Sequence, residues 1–464
     1  MLFNSLPFLI FFPIVTMAYY LTPYRWRWVL LLAASCFFYM WFKPIYILIL
    51  LGTIVIDFTA GRMIDKKRAV GNSRGAKGWL IGSIISTLAV LAVFKYQGLF
   101  RETNILLPIG LSFHTFQSLS YVIEVYRGTQ KAEHHFGLYS LYVMFYPQLV
   151  TGPIERPGNL LRQLHNDQPF RKENLSAGVL LMLFGLFVKM VIADNLATYV
   201  DLIYDAPADY GSGSIALGMV FYSFRIYCDF FGYSTIALGC AKAMGYDLMD
   251  NFRAPYLSTS IGEFWRRWHI SLSSWFRDYV YIPLGGSRVR WGRWMMNVMV
   301  VFLLSGLWHG ASWTFVVWGG MHGVALIVER MGGKVSPRSG VKQKGVFYIL
   351  SYRLSRVVCM VVVFLIVTLL WTLFRAESFE QWIEVLGSFT RNWGGAQETL
   401  HVATRVWLFL AIFIVVDVLL RNSRIDRWCL QQKGWVQWVV GFVLAFCILV
   451  FASVENFPFI YFQF

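Results

Sequence analysis

Charge is scarce in this chain. Of its 464 residues only 14% are Asp, Glu, Lys or Arg, while 57% are hydrophobic and 18% aromatic. That balance excludes an ordinary soluble domain of this length. Cysteine is also sparse. Cys36, Cys228, Cys240, Cys359, Cys429 and Cys447 fall in or beside apolar runs, with no CxxC spacing and no histidine partners. Neither a disulfide framework nor a metal centre is expected from them. No fixed-period repeat, low-complexity stretch or long polar linker is present. These absences argue against a solenoid, a disordered tail and a multi-domain chain, and favour one domain over 1–464.

What the chain does have is a succession of uncharged runs. Many approach the roughly 20 residues that carry a helix across the hydrocarbon core. About eleven spans or partial spans fit along the sequence, so the expected fold is an all-α polytopic membrane protein. The first run, Leu6 to Leu21, lacks a basic leader and a small-residue cleavage site, and reads as a retained helix rather than a signal peptide.

The net charge of +16 raises the question of nucleic acid. Its distribution answers against it, because the basic residues gather in short loops between apolar segments, as the positive-inside rule requires. Arg25 and Arg27, the loop Arg62 to Lys77, the loop Arg330 to Arg356 with seven Lys/Arg and no Asp/Glu, and the loop Arg421 to Lys433 read as cytoplasmic. Membrane lipids are the expected surroundings. Counting spans between these loops, with the last at about 357–374, 404–420 and 435–453, leaves both termini outside. Segments 105–122 and 212–240, the latter with Arg225 and Asp229, read as spans that are partial or re-entrant.

Between Gly262 and Tyr281 the sequence GEFWRRWHISLSSWFRDYVY sorts on a helical wheel. Trp265, Trp268, Leu272, Trp275, Phe276 and Tyr279 share an arc of about 100°. Glu263, Arg267, Ser271, Ser274 and Asp278 face the other way, Arg266, Ser273 and Arg277 form a flank, and His269 sits at the stripe's edge. One amphipathic helix at the membrane interface is expected. It is either a plain linker or the arginine-lined mouth for an anionic or thioester substrate.

From Trp294 to Val328 run 35 residues without Asp, Glu, Lys or Arg. This exceeds one crossing and falls short of two, so the run must break or tilt, with Gly306, Gly310, Gly319, Gly320 and Gly323 as candidate break or packing points. SGLWHG puts His309 deep in this stretch. A buried imidazole can be a neutral hydrogen-bonded core group, but ionisable residues at membrane depth lean towards function. Histidine can take a proton from a hydroxyl nucleophile and return it to a leaving group. His322, in GGMHG, would lie about 220° from His309 on a continuous helix, which favours packing over a direct role.

These residues carry a family resemblance. DNFRAPYLSTSIGEFWRRWHISLSSWFRDYVYIPLGGSR followed by SGLWHGASWTFVVWGGMHG resembles the membrane-bound O-acyltransferase family, as do LLPIGLSFHTFQSLSYVIEVYRG at Leu106 to Gly128 and YPQLVTGPIERP at Tyr146 to Pro157. The bacterial branch with alginate and peptidoglycan O-acetylation proteins and teichoic-acid D-alanylation proteins is the nearest in appearance. The motif core spans 106–330. The resemblance implies a helical ring around a thin centre, with interfacial helices, a cytoplasmic entrance for an acyl donor and an outer funnel. It implies that the histidine of WHG, His309, is catalytic and that His269 is the second family histidine.

The tail 457–464, FPFIYFQF, resembles the FPFxYxxF motif that a small partner peptide contributes in D-alanylation systems, where its tyrosine is thought to carry the acyl group. Tyr461 is therefore a candidate acyl carrier, with an interfacial aromatic anchor as the competing role. The resemblance further implies acetyl-CoA as donor, no tightly bound cofactor, no metal, and a periplasmic SGNH-type O-acetyltransferase as the partner that reaches the acceptor glycan. The place expected is the bacterial cytoplasmic membrane. Arg266 and Arg277 are candidates for donor phosphates, and Asn251 and Trp308 for donor contacts; Glu263 and Asp278 are candidate supporting groups. Transfer of another acyl group such as D-alanine, a transporter or flippase, and a silent scaffold are the competing readings.

Overall fold

A computed structural model describes residues 1–96, 108, 110–150, 152–332, 346–394, 397–453, 455 and 457–462. Gln463 and Phe464 of the tail, Leu106 and Leu107, and residues 333–345 of the basic loop 330–356 lie outside the described residues. Those described are built almost wholly of helices, with a single isolated bridge, Tyr210 to Glu398, as their one β-type pairing. Six helices are long and apolar enough to cross a membrane: Pro44–Ala69, Ser73–Tyr96, Lys172–Asp205, Ser212–Ala243, Leu354–Arg375 and Gly434–Phe451. Their outer faces carry apolar side chains that a water-soluble helix would bury. On Leu354–Arg375, for example, Leu354, Val357, Val361, Leu365 and Leu369 are all half exposed or more. The chain is an all-α polytopic membrane protein. The expected last spans correspond to the helices Val346–Arg375, Thr404–Leu419 and Gly434–Phe451. Segment 212–240, expected to be partial, is one continuous helix, Ser212–Ala243.

The described residues divide into two compact units. The first comprises Met1–Leu186, Gly232–Asp250 and Ile425–Phe446. Several of its buried carboxylates find partners on neighbouring elements, as a lipid surround favours. The fully buried Asp57 accepts from Ser83 Oγ (2.5 Å) and Thr87 Oγ1 (3.0 Å) on the next helix. Small residues set helix spacing: a methyl on Gly178 would come 2.6 Å from the Gly239 carbonyl oxygen, and one on Gly239 2.6 Å from that of Gly178. In the motif at Tyr146 to Pro157, buried Glu155 accepts the Met249 N–H (2.5 Å) and Asn159 Nδ2 (2.8 Å).

The second unit comprises Phe187–Phe231, Asn251–Arg424 and Cys447–Phe464. The long uncharged run does break: Trp291–His309 ends at Gly310, whose backbone is extended, and Trp313–Met331 begins after the N-cap Ser312. The two helices form a hairpin closed on glycine. A side chain on Gly306 would meet the Phe315 carbonyl, and one on Gly319 the Phe302 carbonyl. His309 and His322 therefore stand on different helices, and the rotation expected for a continuous helix does not apply.

The single amphipathic helix expected over Gly262–Tyr281 is interrupted. Ile261–Arg267 stops at Trp268, His269 takes a left-handed conformation (φ 42°), and Ile270–Phe276 restarts before a π-helical turn, Arg277–Tyr281. Long-range pairing overrides the local wheel. Asn251 holds the break with its carbonyl, which accepts the Ile270 N–H (2.8 Å), and with Oδ1, which accepts Ser271 Oγ (2.6 Å). Ser271, on the polar face of the wheel, is fully buried as a result.

Candidate active site

His309 is the last residue of its helix, and is almost fully buried. Its Nδ1 lies 2.7 Å from the Ser305 carbonyl oxygen one turn back. A carbonyl can only accept, so Nδ1 carries the proton and Nε2 of the neutral ring keeps the lone pair. Aromatic rings wall it in: Trp308 and Trp318 at 5.0 Å between centroids, Phe374 at 5.5 Å and Tyr461 at 5.8 Å.

The chain reversal at His269 aims a second buried imidazole at the same place. Its ring stands 4.7 Å from Phe230, 6.1 Å from Trp308 and 6.4 Å from Tyr461. Tyr461, some 150 residues beyond His309 in sequence, thus shares one aromatic chamber with His309 and His269. Its hydroxyl oxygen is buried, and burial pushes that hydroxyl well above the ordinary phenol range. It is a protonated phenol that needs a base before it can act as a nucleophile.

The tail is tied down by its backbone. Lys189, in the π-helical turn Phe187–Ala193, is buried beside Asp194 (2.6 Å) and Asp229 (2.7 Å), and its Nζ also donates to the Phe457 carbonyl (3.2 Å). Asp229 Oδ2 accepts the Ile460 N–H at 2.8 Å. The Arg225 guanidinium lies over the Phe457 ring, 5.6 Å from its centroid. Phe459 and Ile460 are buried. Sequence reasoning missed Lys189, Asp194 and Asp229 as site residues; the available signal was a lysine inside the apolar run LMLFGLFVKMVIA.

Along the helix that ends at His309 lies a cavity of about 540 Å³, lined by Trp265, Arg266, Ser273, Arg277, Ser305 and Arg330 among others. Arg266 and Arg277 thus line one space. Arg330, read from the sequence only as part of a cytoplasmic loop, joins them with its guanidinium stacked 4.1 Å above Trp294. Ser305 connects this space to the catalytic histidine candidate, since its carbonyl is the one that orients His309.

The remaining candidates have structural surroundings. Glu263 accepts the Thr259 N–H (2.9 Å) and pairs with Arg267 (2.8 Å), while Ser260 Oγ caps the same helix by accepting the Glu263 N–H. Asp278 pairs with the exposed Arg277 (2.7 Å). Asn251 is occupied with the break at His269, and Trp308 stands edge-on to His309; the cavity lining runs elsewhere. His322 is packed between Trp265 (4.9 Å) and Trp318 (5.0 Å), and among the described residues neither of its ring nitrogens has a hydrogen-bond partner.

With this geometry in view, the comparison with known families is decisive. Residues 133–372, which contain His269, His309 and His322, match the model of the MBOAT, membrane-bound O-acyltransferase family. The chain belongs to this family. The protein is accordingly an O-acyltransferase. Similar proteins include the probable alginate O-acetylase AlgI of Pseudomonas aeruginosa, 38% identical over 82% of this chain and 73% of the relative. The peptidoglycan O-acetyltransferase of Helicobacter pylori is 28% identical over 100% of this chain and 98% of its own length. A teichoic acid D-alanyltransferase of Bacillus subtilis is 30% identical over 48% of this chain and 59% of its own. As an MBOAT member the chain has its family core in 133–372, whereas the tail that enters the chamber lies beyond it.

Proposed function

We propose that this MBOAT protein is an O-acetyltransferase of the bacterial cytoplasmic membrane, with both termini outside. It moves acetyl from cytoplasmic acetyl-CoA to Tyr461, and from there to a periplasmic SGNH-type enzyme that modifies peptidoglycan or an exopolysaccharide. The observation that carries this reading is the meeting of Tyr461, His309 and His269 in one buried aromatic chamber. The alginate and peptidoglycan O-acetylation activities named for its relatives support acetyl over D-alanine.

The chemistry follows from the tautomer. With Nδ1–H held on the Ser305 carbonyl, His309 Nε2 accepts the phenol proton of Tyr461 as its oxygen attacks the thioester carbonyl. Collapse of the tetrahedral adduct breaks the C–S bond, the imidazolium returns the proton to the departing thiolate, and an O-acetyl tyrosine and free CoA remain. The imidazolium sits at a helix C-terminus, where the macrodipole favours positive charge. Arg266, Arg277 and Arg330 meet the donor's phosphates, for which guanidinium forks are suited. A serine of the partner enzyme then attacks the acetyl tyrosine, regenerating the phenol.

Cells carrying His309→Ala or Tyr461→Phe are expected to lose envelope or secreted O-acetyl esters by about 10²–10⁴-fold in rate while keeping normal protein levels in the membrane. Unchanged O-acetyl content in the Tyr461→Phe strain would sink the relay and leave direct transfer.

A further inference from the structure

The buried charges around the tail have no part in the acetyl chemistry above, and their arrangement calls for a function of its own. Lys189 carries three ammonium protons, and three oxygens lie within 3.2 Å: Asp194 Oδ1, Asp229 Oδ1 and the Phe457 carbonyl. Asp194 lies five residues further along the same helical stretch, Lys172–Asp205, Asp229 stands on Ser212–Ala243, and the third oxygen comes from the tail. Asp229 uses its other oxygen on the Ile460 N–H, so the same ion pair grips the tail at two main-chain points three residues apart. Between them lies Pro458, which has no N–H to satisfy, and Phe459, which is fully buried. The grip thus reads backbone direction and spacing rather than side chains.

We infer that Lys189, Asp194 and Asp229 form a backbone clamp that seats the tail and sets the phase of Tyr461 against His309 and His269. This rests on the reading of Tyr461 as the acyl carrier. The three are positioning residues, which act through the main chain at Phe457 and Ile460. Tyr461 follows directly on the clamped Ile460 N–H, within a short turn Ile460–Phe462. Releasing either hold frees the residue next to the reacting hydroxyl, whose productive geometry tolerates little displacement. A buried charged cluster is expensive, and its presence is accounted for if it orders a segment on which the reaction depends.

The test is hydrogen exchange of the full-length protein in detergent or nanodiscs, read by mass spectrometry on the C-terminal peptide, alongside labelled acetyl-CoA. Removing Lys189 can collapse the buried cluster altogether, so the deciding variants are Asp229→Asn and, from the tail side, Ile460→Pro, which deletes the gripped N–H and leaves the charges intact. Each should speed exchange of the tail amides about tenfold or more, the effect of losing one hydrogen bond to a charged group, with other peptides unchanged. Their combination should add little to either alone, because both remove the same contact. Labelling of Tyr461 should fall in parallel.

Tail exchange that stays at the wild-type rate in both folded variants overturns the clamp. Tail release with undiminished labelling overturns its positioning role. Tail release in the variants, with no label on Tyr461 even in the wild type, would leave the clamp standing and refute the carrier reading instead.

Discussion

At the residue scale, the structure gives individual side chains defined electrostatic states. His309 is the clearest case, since one carbonyl at 2.7 Å selects the tautomer and so decides which nitrogen can act as base. Glu155 is another, and it has a measurable consequence. Burial raises its carboxyl from the ordinary 4.5 to about 7, opposed by the bonds from Met249 and Asn159. The folded state therefore holds a proton that the unfolded state has released, and this penalty on folding grows as pH rises from 4.5 to 7. Glu155→Gln should flatten that stretch of the stability profile, bringing its melting temperature at pH 7 closer to its value at pH 4.5 than in the wild type. Parallel profiles for the two proteins in detergent would contradict this assignment.

At the element scale, the glycine hairpin of Trp291–His309 and Trp313–Met331 holds His309 in place. Gly319→Ala inserts a methyl against the Phe302 carbonyl and should cost about 1–3 kcal/mol of stability, seen as earlier unfolding in a denaturing-detergent titration. An unshifted midpoint would show that the hairpin has slack. That the run must break or tilt was legible from its length, with Gly310 among the candidate points; that His309 would be the last residue of the first helix was not. The reversal at His269 was not, since the wheel pattern over Gly262–Tyr281 is satisfied by one helix and only the Asn251 contacts reveal the interruption. Lys189 and Asp229 stayed unread for a similar reason. Their common partner is a tail more than 220 residues away, and local periodicity carries no trace of it.

At the scale of the whole molecule, part of the positive charge that composition records gathers at one cavity, the donor entrance of the proposed reaction. Three arginines line the cavity that reaches Ser305, and a polyanionic donor would be drawn there. Arg330→Ala should raise KM for acetyl-CoA about tenfold with kcat little changed, since a phosphate contact remote from the reacting carbon contributes equally to ground and transition states. A fall in kcat at constant KM would move Arg330 out of the donor site. The entire chamber, cavity and clamp belong to the second unit, drawn from residues 189 to 461. The family core contributes both histidines and the tail supplies the tyrosine.

The most direct test of that union is intact-protein and peptide mass spectrometry after incubation of the purified protein with isotopically labelled acetyl-CoA. The account predicts label on the C-terminal peptide, at Tyr461, and its disappearance in His309→Ala. An unlabelled tail in a preparation that still transfers or hydrolyses acetyl-CoA would contradict it.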